Sequence, residues 1–181
     1  QEHYGLKTVP SKVILNGIRL PEVANMDVSI NNEIFTVGLV SRFVARKRID
    51  RLINAFAEFL SKGGMGKLIL VGDGPTYLSI KNLVKEKALD QLVEMNGYDV
   101  NVQRHYLEFD ICVFPAEKES FGLVAIEAYN FGKPVLAFDD SGGLKEVIEP
   151  LEPQNIVDNE EALTQRIMYY YIHREEISSK S

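Results

Sequence analysis

Residues 111–138 read ICVFPAEKESFGLVAIEAYNFGKPVLAF. A four-residue apolar run, ICVF, is broken by Pro115 and followed by a polar loop, AEKES. A helical pattern then places Val124, Glu127, Ala128 and Phe131 on related turns and stops at Gly132, before a second apolar run, PVLAF at 134–138. Short apolar runs separated by a helix are the signature of two buried parallel strands joined by a crossover, since parallel strands cannot be joined by a hairpin. The same alternation extends in both directions. Apolar runs occur at 12–15 (KVIL), 34–40 (IFTVGLV), 67–71 (KLILV) and 92–95 (LVEM), and Asn16-Gly17 closes the first with turn chemistry. Ile49, Leu52, Ile53, Phe56, Phe59 and Leu60 recur at helical spacing until Gly63-Gly64. Ile80, Leu83, Val84 and Ala88 predict a helix after Pro75, which suits a first turn. Asp158 with Glu161 reads as a capping box opening a last helix whose stripe is Leu163, Ile167, Tyr170 and Tyr171. The expected fold is α/β: a doubly wound, mainly parallel sheet with helices on both faces.

Composition bounds the function. The chain has 181 residues, 45% of them hydrophobic and 25% charged, enough for one sizeable core. A formal charge of −6 argues against a nucleic-acid surface, which needs clustered Lys and Arg. Cys112 is the one cysteine and lies in an apolar run, so it reads as a buried thiol, and no disulfide framework is available. No apolar run approaches the roughly 20 residues that span a bilayer. A soluble cytoplasmic protein is the expectation, with residues 1–11 a linker remnant and 12–181 one domain.

Ligands of open α/β sheets bind beyond the carboxyl ends of the strands, so the loops following strands carry the chemistry. In GLVSRFVARKRID (38–50), Arg42 and Lys47 follow a strand and precede a helix, a placement that suits a diphosphate. Taken alone, this loop reads more readily as a solvated basic turn. In LVGDGPTY (70–77), Gly72 and Gly74 resemble a dinucleotide fingerprint, but Tyr77 stands where its third glycine belongs, and the loop reads as a tight turn into the next helix. After ICVF, the predicted helix start near Phe121-Gly122 offers the free amides of Gly122, Leu123 and Val124 to an anion, flanked by Glu119 before the helix and Glu127 within it. Dipole complementation by Glu119 and simple solvation of Glu127 account for the two acids equally well, although an unpaired carboxylate within LVAIEAYNFG is costly. His3, His105 and His173 form no catalytic constellation, and His105 reads as a surface or packing residue.

Taken together, ESFGLVAIEA (119–128), GKPVLA (132–137) and SGGLKE (141–146) resemble the carboxyl-terminal, donor-binding half of family 4 retaining glycosyltransferases of the GT-B fold. Glu119 and Glu127 match that family's E-x7-E spacing, and NGI (16–18), Arg42 with Lys47, VGDGP (71–75) and FDICVFP (109–115) follow in the family's order. The resemblance implies transfer of a hexosyl group from a nucleoside diphosphate sugar with retention, without a metal or other cofactor. It implies that Glu119 contacts the transferred sugar, Glu127 the ribose, and the amides of Gly122, Leu123 and Val124 the diphosphate, with Phe121 among the donor-binding residues. Arg42 and Lys47 would face the charge on the leaving phosphate, and the loop with Tyr98 and Asp99 the base. Asp139-Asp140 is then a strand-end turn rather than a metal pair. The resemblance further implies an amino-terminal acceptor domain missing from this chain, through which the whole protein could associate with membranes. Late helices dock on that domain in the family, so Tyr169, Tyr170 and Tyr171 are expected to include exposed aromatics. LEPQNIVD (151–158) departs from the family's usual glycine-containing strand. A nucleotide-sugar epimerase of the same architecture and a non-catalytic binding module are the alternatives.

Overall fold

A computed structural model of the chain describes residues 33–178. The expected strand at 12–15, its Asn16-Gly17 turn, the NGI segment and the 1–11 linker lie outside the described residues. Six strands, β1 (Thr36–Val40), β2 (Lys67–Val71), β3 (Val93–Gly97), β4 (Ile111–Phe114), β5 (Val135–Phe138) and β6 (Ile156–Val157), form one sheet in the order β3-β2-β1-β4-β5-β6. Every pairing is parallel. The helices are α1 (Ile49–Ser61), α2 (Tyr77–Glu86), α3 (Gln103–Glu108), α4 (Leu123–Asn130), α5 (Gly143–Ile148), α6 (Glu160–Ile172) and α7 (Glu175–Ser178). Among the described residues no helix is long and apolar enough to cross a membrane.

The strands are apolar without alternation because both faces are covered. Val37, Leu39, Leu68, Leu70, Val113, Leu136 and Phe138 belong to one core layer with the apolar stripes of α1, α2 and α6. Ile69, Val71, Cys112, Phe114, Val135 and Ala137 belong to the other, with Tyr106 and Phe109 at α3, Ala125 and Ala128 of α4, and Leu144 and Ile148 of α5. Gly38 makes room between layers, since a Cβ there would lie 2.1 Å from the Phe109 ring. Cys112 is fully buried, and burial pushes its thiol up, out of the nucleophile range.

Several expectations shift at element ends. The helix after Pro75 starts at Tyr77 with Thr76 as its N-cap and ends before Ala88, which is exposed at φ 54° and hands its core position to Leu89. The cap of α6 is Asn159, not Asp158: its Oδ1 accepts from Ala162 N at 2.9 Å. Asn159→Ala is accordingly expected to lower the stability of the chain by about 1 kcal/mol in a thermal melt, with Asp158→Ala nearly silent. LEPQNIVD supplies β6, and its buried Glu152 accepts from Asn155 Nδ2 at 2.9 Å and Val135 N at 3.2 Å.

Of the three tyrosines of the last helix, one is buried and two are partly accessible, none of them as exposed as expected. Tyr170 is buried, and its hydroxyl shares Asn155 with Glu152. Tyr171 is half-buried, edge-on to Phe35 and Phe59, and Tyr169 is half-buried under the Arg166 guanidinium. α6 lies on α1, where Thr164 Oγ1 donates to Ala55 O at 3.1 Å, so part of the aromatic surface is used inside this domain.

Candidate functional site

The strand order reverses between β1 and β4. Chain leaving β1 turns one way to reach β2, and chain leaving β4 turns the other way to reach β5, which opens a crevice beyond their carboxyl ends. The two loops that border it are those after Val40 and after Phe114.

The first loop is built against its neighbour. Ser41 N donates to Val71 O and Phe43 N to Asp73 O, both at 2.9 Å, and Thr76 N returns to Phe43 O at 3.1 Å. The glycines of VGDGP permit that contact, since a Cβ on Gly74 would stand 2.3 Å from Phe43 O. The reading of this loop as a turn rather than a phosphate cradle fits that packing. The loop then makes a single 3-10 turn, Ala45–Lys47, and enters α1 through Arg48 at φ 44°.

The second loop is clamped from both sides. Glu117 N donates to Arg46 O at 2.9 Å, and Arg48 forms an ion pair with Glu117. On the far side Lys118 N donates to Asp140 O (3.0 Å), Glu119 N to Ser141 O (2.9 Å) and Gly143 N to Glu119 O (2.8 Å). Gly142-Gly143 allows this approach: φ is 64° at Gly142, and a Cβ on Gly143 would lie 2.4 Å from Ser120 O. The SGG signal thus fixes the backbone of Glu119. Asp139 and Asp140 occupy a 3-10 turn at the end of β5, paired with Lys145 at 2.5 Å and Arg51 at 3.0 Å respectively.

The structure brings Glu119 and Lys47 together. Lys47 Nζ donates to Glu119 Oε2, and Arg46 Nη1 lies 3.5 Å from the same oxygen. The Glu119 side chain is 14% exposed. Burial works to raise its pKa, but the hydrogen bond and charge of Lys47, with Arg46 behind it, hold it below the usual carboxylate range. The pair lines a narrow cleft whose walls include Val40, Ser41 and Val124.

Those three residues also line a cavity of about 440 Å³, with Arg42, Val71, Gly72, Asp73, Tyr98, Asp99 and Val102. Arg42 is exposed, and among the described residues its guanidinium has no hydrogen-bond or ion-pair partner. Tyr98 is 76% exposed at the rim. Asp99 is engaged by the protein: Oδ1 accepts from Asn101 N at 2.8 Å, and Oδ2 from His105 Nε2 at 2.8 Å and Arg104 Nε at 2.9 Å. The Asn101 amide, then His105 and Arg104, hold this carboxyl below its ordinary range. His105 is therefore a packing residue, 3% exposed, rather than a surface one.

α4 starts at Leu123 behind Gly122, whose φ of 87° turns the chain into the helix. Among the described residues the amides of Gly122, Leu123 and Val124 find no backbone acceptor outside the helix, which leaves them available to an anion. The side chain of Val124 reaches the cavity wall, whereas those of Phe121 and Leu123 are half-buried and are not among its lining. Glu127 is half-buried and accepts from the Tyr106 hydroxyl at 3.0 Å. Tyr106 and His105 were not singled out as site residues from the sequence; the FDICVFP segment that follows them was the nearest signal.

A wholly parallel, doubly wound sheet with a cavity and a charged pair at its switch point defines a Rossmann-like domain. The chain belongs to the family described as Glycosyl transferases group 1, which matches residues 25–178. N-acetyl-alpha-D-glucosaminyl L-malate synthase of Bacillus anthracis is 37% identical over 110 residues, covering 61% of this chain and 28% of that protein. Poly(ribitol-phosphate) alpha-N-acetylglucosaminyltransferase of Staphylococcus aureus is 32% identical over 123 residues, covering 68% and 25%. Among solved structures, a variant of Staphylococcus aureus TarM in complex with Fondaparinux, alpha-GlcNAc-glycerol and UDP superposes with a TM-score of 0.74 at 27% identity, over 81% of this chain and 30% of that one. Anabaena HepE in complex with UDP superposes with a TM-score of 0.69 at 25% identity, over 81% and 41%. The chain thus spans about a quarter of the length of these two curated relatives.

Proposed function

We propose that this chain is the donor-binding domain of a cytoplasmic glycosyltransferase that moves a hexosyl group from a nucleoside diphosphate sugar with retention of configuration, without a metal, and in company with an acceptor-binding domain. The observation that carries the reading is the meeting of Lys47 and Glu119 in a cleft that shares its walls with the 440 Å³ cavity at the β1/β4 crevice. The UDP bound by TarM and HepE supports a nucleotide in that cavity.

In this reading the base enters beside Tyr98 and the loop that Asp99 braces. The ribose diol meets Glu127, and the diphosphate receives the amides of Gly122, Leu123 and Val124 at the positive end of α4. The sugar lies against Glu119. As the bond between the sugar and the diphosphate breaks, negative charge grows on the leaving phosphate, where Arg42 and Lys47 stand to stabilise it electrostatically. Asp99 contributes by shaping its loop, because its oxygens are already occupied by the protein.

Calorimetric titration with UDP, GDP and ADP tests the reading. One nucleotide is expected to bind, and Glu127→Ala to weaken it by at least about tenfold, the loss of hydrogen bonds to a charged group. Binding of none of the three, or equal binding of all three irrespective of Glu127, overturns it.

A further inference from the structure

Tyr106 is completely buried, and its ring is locked. It stacks on Phe131 with centroids 5.4 Å apart and planes at 12°, and meets Phe109 edge-on at 5.8 Å and 75°. Phe131 closes the same α4 helix that carries Glu127, and its amide donates to Ala128 O at 3.0 Å. The surroundings are apolar: Ile69, Cys112, Ala128 and Phe131 belong to the same cluster. A phenylalanine would satisfy such a site without a polar atom, and a buried hydroxyl is tolerated only if it is bonded. Among the described residues, the Tyr106 hydroxyl has the carboxylate of Glu127 as its partner, at 3.0 Å from Oε2. No protein donor reaches Glu127 Oε1 among the described residues.

We infer that Tyr106 is a positioning residue for nucleotide binding: its fixed hydroxyl holds Glu127 Oε2 so that the carboxylate is presented in one orientation to the ribose diol. This rests on the donor-domain reading above and adds to it a residue that touches no ligand. The hydroxyl keeps its proton to donate to the carboxylate, since burial first, then the neighbouring Cys112 and Glu127, push its ionisation above any working pH. A half-buried glutamate has several rotamers, and binding must otherwise select one of them. A pre-formed hydrogen bond from a rigid ring removes that selection.

Isothermal titration of the chain with UDP and with 2′,3′-dideoxy-UDP, on the unmodified protein, Tyr106→Phe, Glu127→Gln and the double variant, tests this. Tyr106→Phe keeps the ring and its stacking, so a thermal melt close to that of the unmodified chain is expected. It should weaken UDP by about five- to tenfold, leave the dideoxy nucleotide within about twofold, and add under about twofold on the Glu127→Gln background. Equal weakening of both nucleotides by Tyr106→Phe means a packing role and overturns the inference, as does an undiminished loss on the Glu127→Gln background. If Glu127→Gln weakens UDP and Tyr106→Phe does not, the inference alone falls. If Glu127→Gln leaves UDP untouched, or UDP does not bind at all, the assignment of Glu127 to the ribose falls, and Tyr106 with it.

Discussion

Alanine at Gly72 is expected to destabilise the chain by about 3 to 5 kcal/mol, the combined scale of a forbidden backbone conformation and an overpacked contact. The reason is geometric. Gly72 has φ of 139°, which an L side chain rarely adopts, and a Cβ there would stand 1.8 Å from Ser41 O. That oxygen cannot retreat freely, because Ser41 N is bound to Val71 O at 2.9 Å and Gly72 N to Gly97 O at 2.7 Å. Relief requires prising the loop after β1 away from the loop after β2. Both line the cavity, through Val40, Ser41 and Arg42 on one side and Gly72 and Asp73 on the other. Nucleotide affinity should therefore fall with stability. Gly63 is the control: it also has a positive φ, 90°, but a Cβ there meets nothing within 4 Å. Gly63→Ala should lose only about 1 kcal/mol, the left-handed penalty alone. Urea denaturation of both variants measures the difference, and equal losses would show that crowding at Ser41 is not what excludes a side chain at position 72.

The same position shows what a sequence displays and what it hides. Gly72 and Gly74 are legible as special but not as to why; the missing third glycine at Tyr77 disfavours a phosphate loop, and the packing against Ser41 and Phe43 supplies a reason for both glycines. Strands β1, β2, β4 and β5 stood out because burial on both faces leaves runs of apolar residues with turn residues around them. β6 has two residues and α3 and α5 six each, too short for a period to establish itself. At Asp158 and Asn159 two residues of equal capping ability stood side by side, and only the backbone decided between them. The tyrosines of α6 read as surplus because α1, their partner, lies about a hundred residues earlier. In the site, strand-end placement drew attention to Lys47 and Glu119, but a solvated basic turn and a dipole-complementing acid explain them as well or better, and the resemblance singled them out. Tyr106 was not legible, because a lone tyrosine before FDICVFP carries no sign that its hydroxyl meets a carboxylate 21 residues later.

Lys47→Ala is the second large effect, and it acts twice on one carboxylate. Lys47 and Glu119 are each about seven-eighths withdrawn from solvent, with side chains 15% and 14% exposed. With Lys47 present, the folded pKa of Glu119 lies below its unfolded value. The pair therefore contributes stability that is complete above the unfolded pKa and is lost as pH falls through the lowered folded one. Without Lys47, burial is the first remaining influence, opposed by the exposed Arg46 at 3.5 Å and by the Ser120 amide. The folded pKa of Glu119 should rise once the hydrogen bond and charge of Lys47 are gone, so that the variant loses less stability than the unmodified chain as pH is lowered from about 7 to 4. Chemical denaturation across that range reads the difference in slope, and parallel pH profiles for the two proteins would refute the pairing. In nucleotide binding, the loss of a charged donor to phosphate should weaken UDP by about 10- to 100-fold, from about 1.5 to 3 kcal/mol. Glu119→Gln separates the two roles. Glutamine still accepts from Lys47 through its carbonyl but carries no charge, so UDP binding should be retained while the acid dependence of stability disappears. A Glu119→Gln chain that loses UDP as fully as Lys47→Ala would place the glutamate, rather than the lysine, against the diphosphate.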